Sequence, residues 1–463
     1  MDARIDAAPN RLLRFGIATC AALIVITLSS NRGYFSHDEL QWLAFADTDR
    51  WSQLPWSHIF PVDRFQYRPV TFNLWLILAH VFGYKPMAMH AAIALMGLAN
   101  ALLLRACAIR MGATHLGAGV AMLVFLLFPY VVYNHSWVGT IADLLVAACV
   151  LLALLWLCRT RSDREGSPLR SALLDAIPVA LLTTLALLSK ESAIVFPALL
   201  LYAWPPRRWR FAAPFAASAV MVLVYLALRL KTILFTPHDP GVYTWSLGNI
   251  PANLGLFALF PFDLTNFEIL GSRSLHGWAL LASVAAVVLV FGAMASAGWR
   301  YAVALLAGTF VCLGPVLILD VISNVYGYLA SAFACGAVAV AAPKMRPGAR
   351  WLLVMPIMLA TVHGITIGKT MLRIGNTQHH LYTDLVRLLP QASAAQPLRI
   401  RAMREADDTT VRRLLNSVPS YHRIPLAERA RAVPSRNATQ APTHWMKPSG
   451  RLMPAPPPEP SLP

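Results

Sequence analysis

This sequence predicts an all-α polytopic membrane protein of about eleven transmembrane helices with a long first extracytoplasmic loop, and three observations predict it. Only 13% of the 463 residues are charged, against about 25% in a soluble domain, and mean hydropathy is +0.55. Apolar runs of about 15 to 20 residues recur along most of the chain, close to the length that crosses a hydrocarbon core. The Lys and Arg residues sit mainly in short turns between those runs and in the C-terminal tail, which is the topology signal of a multi-pass protein. That last pattern accounts for the net charge of +17 and argues against a nucleic-acid partner. Cys20, Cys107, Cys149, Cys158, Cys312 and Cys335 lie inside or at the ends of apolar runs without metal-type spacing. They read as small core residues, so neither a disulfide framework nor a zinc site is indicated.

The expected spans are 15–30, 88–108, 116–133, 139–158, 172–188, 192–204, 212–230, 277–296, 301–320, 328–343 and 351–367. The first follows Arg4, Arg11 and Arg14 and runs into "TLSSNRGYFS" without an A-x-A pattern, so it reads as an uncleaved anchor with a cytoplasmic N-terminus. In that orientation the turns holding Arg105/Arg110, Arg159/Arg161/Arg164, Arg207/Arg208/Arg210 and Lys344/Arg346/Arg350 all fall on the cytoplasmic side. The opposite side receives loops at 31–87 and 231–276 and the tail from 368.

Within the first loop, "TDRWSQLPWSHIF" mixes Trp51, Trp56 and Phe60 with polar residues, as an interfacial segment does. Residues 69–83 are apolar but too short for a span, and counting them as one would invert every later turn. They are expected along the outer membrane surface or re-entrant. The chain then divides into a transmembrane domain (1–367), a basic, partly helical extracytoplasmic segment (368–432) and a Pro-rich tail (433–463) expected to be disordered. The "NAT" at Asn437 is a glycosylation sequon by pattern only.

Four stretches carry candidate chemistry. In "SHDELQW", Ser36 and Glu39 have capping-box spacing and Asp38 suits the positive end of a helix. The alternative makes Asp38 a general base or metal ligand just above the bilayer. In "QYRPVTF", Pro69 forces Arg68 out of the helical region and opens the next helix. Its guanidinium can grip a phosphate through two hydrogen bonds, or simply snorkel at the interface. "YNHSWVGTIAD" offers His135 and, slightly inside the start of a span, Asp143, where a carboxylate is costly unless paired. "LLSKESAIVF" places Lys190 and Glu191 at an outward junction between two short spans, either neutralising each other or meeting an anionic headgroup. Asn100 and His363 inside spans read as interhelical hydrogen-bonding groups. Asp320, Arg229 and Lys231 read as boundary residues. No P-loop, G-x-S-x-G or nucleotide fingerprint is present.

In this order these stretches resemble the integral-membrane class C glycosyltransferases, in particular bacterial relatives of the transmembrane O-mannosyltransferases that carry tetratricopeptide repeats. The resemblance rests on Asp38-Glu39, on "YRPVT" with Tyr67 and Arg68, and on "FGYKPMAMH" ending in His90. It continues through "FPYVVYNHSW" with His135 and then Asp143, "LLSKES" with Lys190 and Glu191, and "YLASAF" at 328–333. The chain departs from that pattern at Tyr133 and Ile141, in the run "NVYGYL", and in a tail too short for a repeat array. The resemblance implies transfer of a sugar from a polyprenyl-phosphate donor to an acceptor hydroxyl on the extracytoplasmic side of a bacterial-type inner membrane, with inversion. The acceptor is protein, lipid or glycan. It makes Asp38 and Glu39 the catalytic candidates. Tyr67, Arg68, His90, His135, Asp143, Lys190 and Glu191 become substrate-binding candidates, and a divalent metal stays open. The competing readings are an inactive or scaffold-like relative, a lipid or polysaccharide transporter, and another membrane transferase with a large catalytic loop.

Overall fold

The computed structural model describes residues 11–48, 67–159, 168–201, 212–235, 244–393, 395–404, 407–415, 418–426, 428–434 and 441–455. The expected interfacial segment 48–60, the basic turns at 160–164 and 207–210, the sequon at Asn437 and the last residues of the Pro-rich tail lie outside them, apart from Thr48.

The fold is a helical bundle carrying a small α/β unit at its C-terminus. In the bundle, α1 (Arg11–Ser29) leads through a short connection into α2 (His37–Thr48). There follow α3 (Pro69–Phe82), α4 (Pro86–Arg110), α5 (His115–Leu127), α6 (Pro129–Ser136), α7 (Ile141–Arg159) and α8 (Pro168–Leu187). A 3-10 turn, Glu191–Val195, runs into α9 (Phe196–Leu200). The rest comprises α10 (Ala212–Phe235), α11 (Ile250–Leu259), α12 (Gly277–Ala297), α13 (Trp299–Leu317), α14 (Gly327–Ala341) and α15 (Val354–Leu388).

Among the described residues seven helices are long and apolar enough to cross a membrane, or eight if α5 and α6 count as one span bent by 57°. The bend follows from sequence, because Pro129 holds Phe128 extended at φ −68° and ψ 139°. The expected spans 15–30, 172–188 and 192–204 coincide with shorter apolar helices, as do α3 and the stretch Leu247–Phe262. Exposed large apolar side chains such as Leu181, Leu223, Leu228 and Val288 cover the outside of the bundle, as suits a lipid-facing surface.

Two features differ from expectation. The last span does not end near 367: α15 runs for 35 residues, about 52 Å at 1.5 Å per residue, against a hydrocarbon core of about 30 Å. Its second half stays helical because Met371, Gln378, Leu381, Tyr382 and Leu385 form one buried stripe while polar residues take the other face.

The chain is also not wholly helical, and residues 441–455 of the expected disordered tail are folded. Strand β1 (Leu398–Ala402) is followed by α16 (Asp408–Leu415) and the two-stranded hairpin β2 (Ser420–Tyr421) and β3 (Ile424–Pro425). Then come β4 (Ala430–Ala432), β5 (His444–Met446) and β6 (Leu452–Pro454). The main sheet has the order β4-β1-β5-β6, with β1 parallel to both neighbours and β6 antiparallel. Its core is Leu398, Ile400, Ala402, Val411, Leu414, Leu415, Ala430 and Met446.

The α/β unit is seated on the first loop and α15. Asp47 of α2 accepts hydrogen bonds from the Tyr84 hydroxyl at 2.7 Å, the Ser420 hydroxyl at 3.1 Å and the Arg423 amide at 3.0 Å. Arg451 pairs with Asp384 at 3.0 Å. The connection between α1 and α2 meets α15 almost backbone to backbone, for a Cβ on Gly33 would lie 1.9 Å from the Gly375 carbonyl oxygen. Only glycine permits that approach.

Candidate functional site

Glu39 anchors the start of α2. Its carboxylate accepts the backbone N–H of Phe35 at 2.6 Å and of Ser36 at 2.9 Å, the arm of a capping box that reaches back to the N-cap. Its other oxygen accepts the Val138 amide at 2.7 Å, which ties α2 to the turn between α6 and α7. Glu39 is fully buried. Burial pushes its carboxyl up to about 8, even though the three amides oppose the shift. Asp38, one residue earlier in the first turn of α2, stays partly exposed.

Arg68, Asp143, Lys190 and Glu191 converge as two ion pairs. The first turn of α3 is stitched to the end of α8 by Val70 N–H to Leu188 O at 3.1 Å and by the Thr71 hydroxyl to Ser189 O at 2.9 Å. That seam sets Arg68 beside Glu191: Nε lies 3.0 and 3.3 Å from the two carboxylate oxygens, and a second guanidinium nitrogen lies at 3.0 Å. Lys190 donates from Nζ to both oxygens of Asp143, at 2.7 and 2.6 Å. The Lys190–Asp143 pair is the drier one, with side chains 7% and 12% exposed against 20% each for Arg68 and Glu191.

Aromatic rings close in on these cations. The Lys190 ammonium lies 4.9 Å from the Tyr326 ring centroid, and the Arg229 guanidinium lies 5.2 Å from that of Tyr67. Arg229 is 1% exposed, deeper than its reading as a boundary residue implied.

The two candidate histidines are sealed inside. His90 Nε2 lies 2.9 Å from the Gly33 carbonyl oxygen, so that nitrogen carries the proton, since a carbonyl only accepts. His135 Nε2 lies 3.0 Å from the Tyr328 hydroxyl, which also receives Asn100 Nδ2 at 3.1 Å. The His135 ring fits only because position 97 is glycine, where a Cβ would sit 2.2 Å from Nε2. Both histidines are fully buried and act on the framework. His90 holds the first loop, and His135 holds the start of α14.

The run Asn324–Tyr328 links the two halves of the region. Asn324 accepts the Ile269 amide at 2.7 Å and donates to Phe267 O at 2.9 Å. Tyr326 faces Lys190 and Tyr328 faces His135. Sequence reasoning missed Tyr326, Glu268, Arg413 and Asp263. Arg413 of α16 pairs with Glu268 at 2.9 Å and stands 4.7 Å from the Phe35 ring centroid, contacts separated by well over a hundred residues.

Asp263 is buried and accepts the Thr265 amide at 3.0 Å and hydroxyl at 2.5 Å, Asn266 Nδ2 at 2.7 Å and the Ser272 hydroxyl at 2.6 Å. Burial alone would raise its carboxyl, but these donors outweigh it and hold the group below the usual range. The "DLTN" order, an acid followed by Thr and Asn, is the local signal that could have exposed this turn.

Three cavities stand out. Two are apolar and lie among the helices, the larger of about 950 Å³ running from Leu116 and Arg350 to Phe262. The third, of about 290 Å³, is bordered by Asp47, His80, Tyr84, His422 and Arg423. None of the three is lined by Asp38, Arg68, Asp143 or Lys190. Among the described residues no three His, Cys, Asp or Glu side chains converge as a metal set. No family profile, characterised protein or solved structure matches this chain.

Proposed function

We propose that this chain is an inverting membrane glycosyltransferase that moves a sugar from a polyprenyl-phosphate donor to an acceptor hydroxyl. In this reading the bundle crosses the bacterial-type inner membrane eleven times, and the site opens on the extracytoplasmic side. One observation carries it. The pairs Asp143–Lys190 and Arg68–Glu191 stand side by side through the consecutive residues Lys190 and Glu191. Glu39 fastens the helix that holds Asp38 to Val138, five residues before Asp143. Residues scattered over some 150 positions are thus linked, two ion pairs meeting at Lys190 and Glu191 and the helix of Asp38 tied to the turn that leads to Asp143.

The chemistry follows from that grouping. Asp38 takes the acceptor hydroxyl proton as the oxygen attacks the anomeric carbon. The bond from that carbon to the phosphate oxygen breaks, and its electron pair leaves with the lipid phosphate. Lys190 and Arg68 answer the growing charge by shifting from carboxylate to phosphate. Asp143 and Glu191 keep both cations in place until the donor arrives, and Tyr67 holds Arg229 beside them. Glu39, His90 and His135 are positioning residues, because each is fully buried and bonded to the framework.

The rival reading, an inactive or scaffold-like relative, is favoured by the same ion pairs taken as final. The test is mass spectrometry of envelope glycoconjugates from cells making the wild type, Asp38→Asn, or no protein. A glycan present with the wild type and missing with the other two supports transfer. An unchanged glycan pattern in Asp38→Asn removes Asp38 from the mechanism.

A further inference from the structure

We propose that the arginine-bearing face of the C-terminal sheet, opposite the one that α16 covers, is a docking surface for an anionic polysaccharide, whether or not the bundle transfers sugars. Strand alternation divides β1 cleanly. Leu398, Ile400 and Ala402 are buried, while Arg399 and Arg401 point to the other face. Register extends that second face across the sheet. Arg399 is level with Arg431, Arg401 with Trp445, and Trp445 with Met453. The Arg401 guanidinium lies 5.8 Å from the Trp445 ring centroid.

Among the described strands the charge is one-sided. No strand of the sheet contains Asp or Glu, and Arg399 and Arg431 are exposed. Among the described residues neither guanidinium meets a carboxylate. Neighbouring strands lie about 4.8 Å apart, so two like charges stand next to each other, an arrangement that weakens a sheet unless an anion lies between them.

Which anion follows from where the face points and how large it is. Helix α16 lies between the sheet and the bundle. It packs on α2, reaches Glu268 through Arg413, and its Leu414 carbonyl accepts the Tyr382 hydroxyl of α15 at 2.6 Å. The apolar face of the sheet therefore packs toward the bundle through α16, and the arginine face is the opposite one. Four strands of three to five residues cover about 200 to 300 Å², against about 800 Å² per partner in a stable protein–protein interface. A few residues of a charged polysaccharide fit that area. Carboxylate or phosphate oxygens would take the forks of Arg399 and Arg431, and a sugar ring would lie on Trp445.

The test uses the full-length protein in detergent, with oligogalacturonate as the probe and dextran and oligodeoxythymidylate as controls. Oligogalacturonate should bind and weaken with salt, and dextran should not bind. Arg399→Ala/Arg431→Ala should lose at least about tenfold in affinity, since each tenfold is about 1.4 kcal/mol. Its melting temperature should not fall, because a like-charge contact has been removed. Trp445→Ala should weaken oligogalacturonate more than oligodeoxythymidylate. Absence of oligogalacturonate binding, equal binding by the double variant, or indifference of both polyanions to Trp445→Ala would each overturn the proposal.

Discussion

Glu39 and Asp143 are two acids withdrawn from water beside the same turn, and they are held by different kinds of partner. Glu39 is held by three backbone amides, two from its own helix start and one from Val138. Asp143 is held by one long side chain, Lys190, through two bonds of 2.6 and 2.7 Å. Backbone donors cannot leave without undoing the turn that presents them. An ammonium on four methylenes can swing to another anion. The first arrangement fixes a fold, and the second can exchange partners, which is what binding a phosphate requires.

The comparison breaks most visibly at Lys190. Lys190→Met leaves Asp143 buried without its cation and should cost about 3–5 kcal/mol, read as a lower thermal unfolding midpoint in detergent. Asp143→Asn/Lys190→Met should recover most of that loss. A double variant as unstable as the single one would mean that the pair is not what balances Asp143. Next comes Glu39→Ala, which strands three amides and should cost about 3 kcal/mol. The loss should appear as faster hydrogen exchange at Ser36 and Val138.

The pH response sharpens the contrast between Glu39 and Asp263. The Glu39 carboxyl rises to about 8 on folding, so its contribution is complete below the ordinary glutamate value and is lost as pH climbs through about 8. Asp263 is held below its ordinary value, so its contribution is present at neutral pH and fades as pH falls through the folded value. Unfolding midpoints against pH should show both limbs, with Glu39→Gln flattening the alkaline one and Asp263→Asn the acid one. The smallest effect belongs to Arg68→Ala. That pair is 20% exposed on each side and should contribute about 1 kcal/mol or less to stability.

How much of this was legible depended on what each region answers to. The helices of the bundle answer to bilayer thickness, so run length marked them, but among the described residues only seven, or eight with the bent pair, are long and apolar enough to cross, not the expected eleven. The spacing of Ser36 and Glu39 announced the cap, whereas the bend at Pro129 went unread and 116–133 was expected as one span. The partnership of Lys190 was harder to read. Adjacency suggested Glu191, but neighbours in sequence project differently, and tertiary packing gave Asp143 to Lys190 and Arg68 to Glu191.

The C-terminal unit was illegible for a different reason. Its strands are two to five residues long, and Arg399, Arg401 and Arg431 interrupt the apolar positions that would have marked them. Its core forms only when β1, β4 and β5 align across gaps in the chain. The partly backbone-held Asp263 turn and the Arg413–Glu268 contact likewise depend on folding for their meaning.

The most direct measurement is release of polyprenyl phosphate from a synthetic polyprenyl-phosphate sugar by purified protein in proteoliposomes, with Asp38→Asn compared at equal folded content. The account predicts release coupled to an inverted glycoside in the wild type, and loss of both in Asp38→Asn at an unchanged unfolding midpoint. Equal release by the two proteins, or none by either with any acceptor hydroxyl, would contradict it.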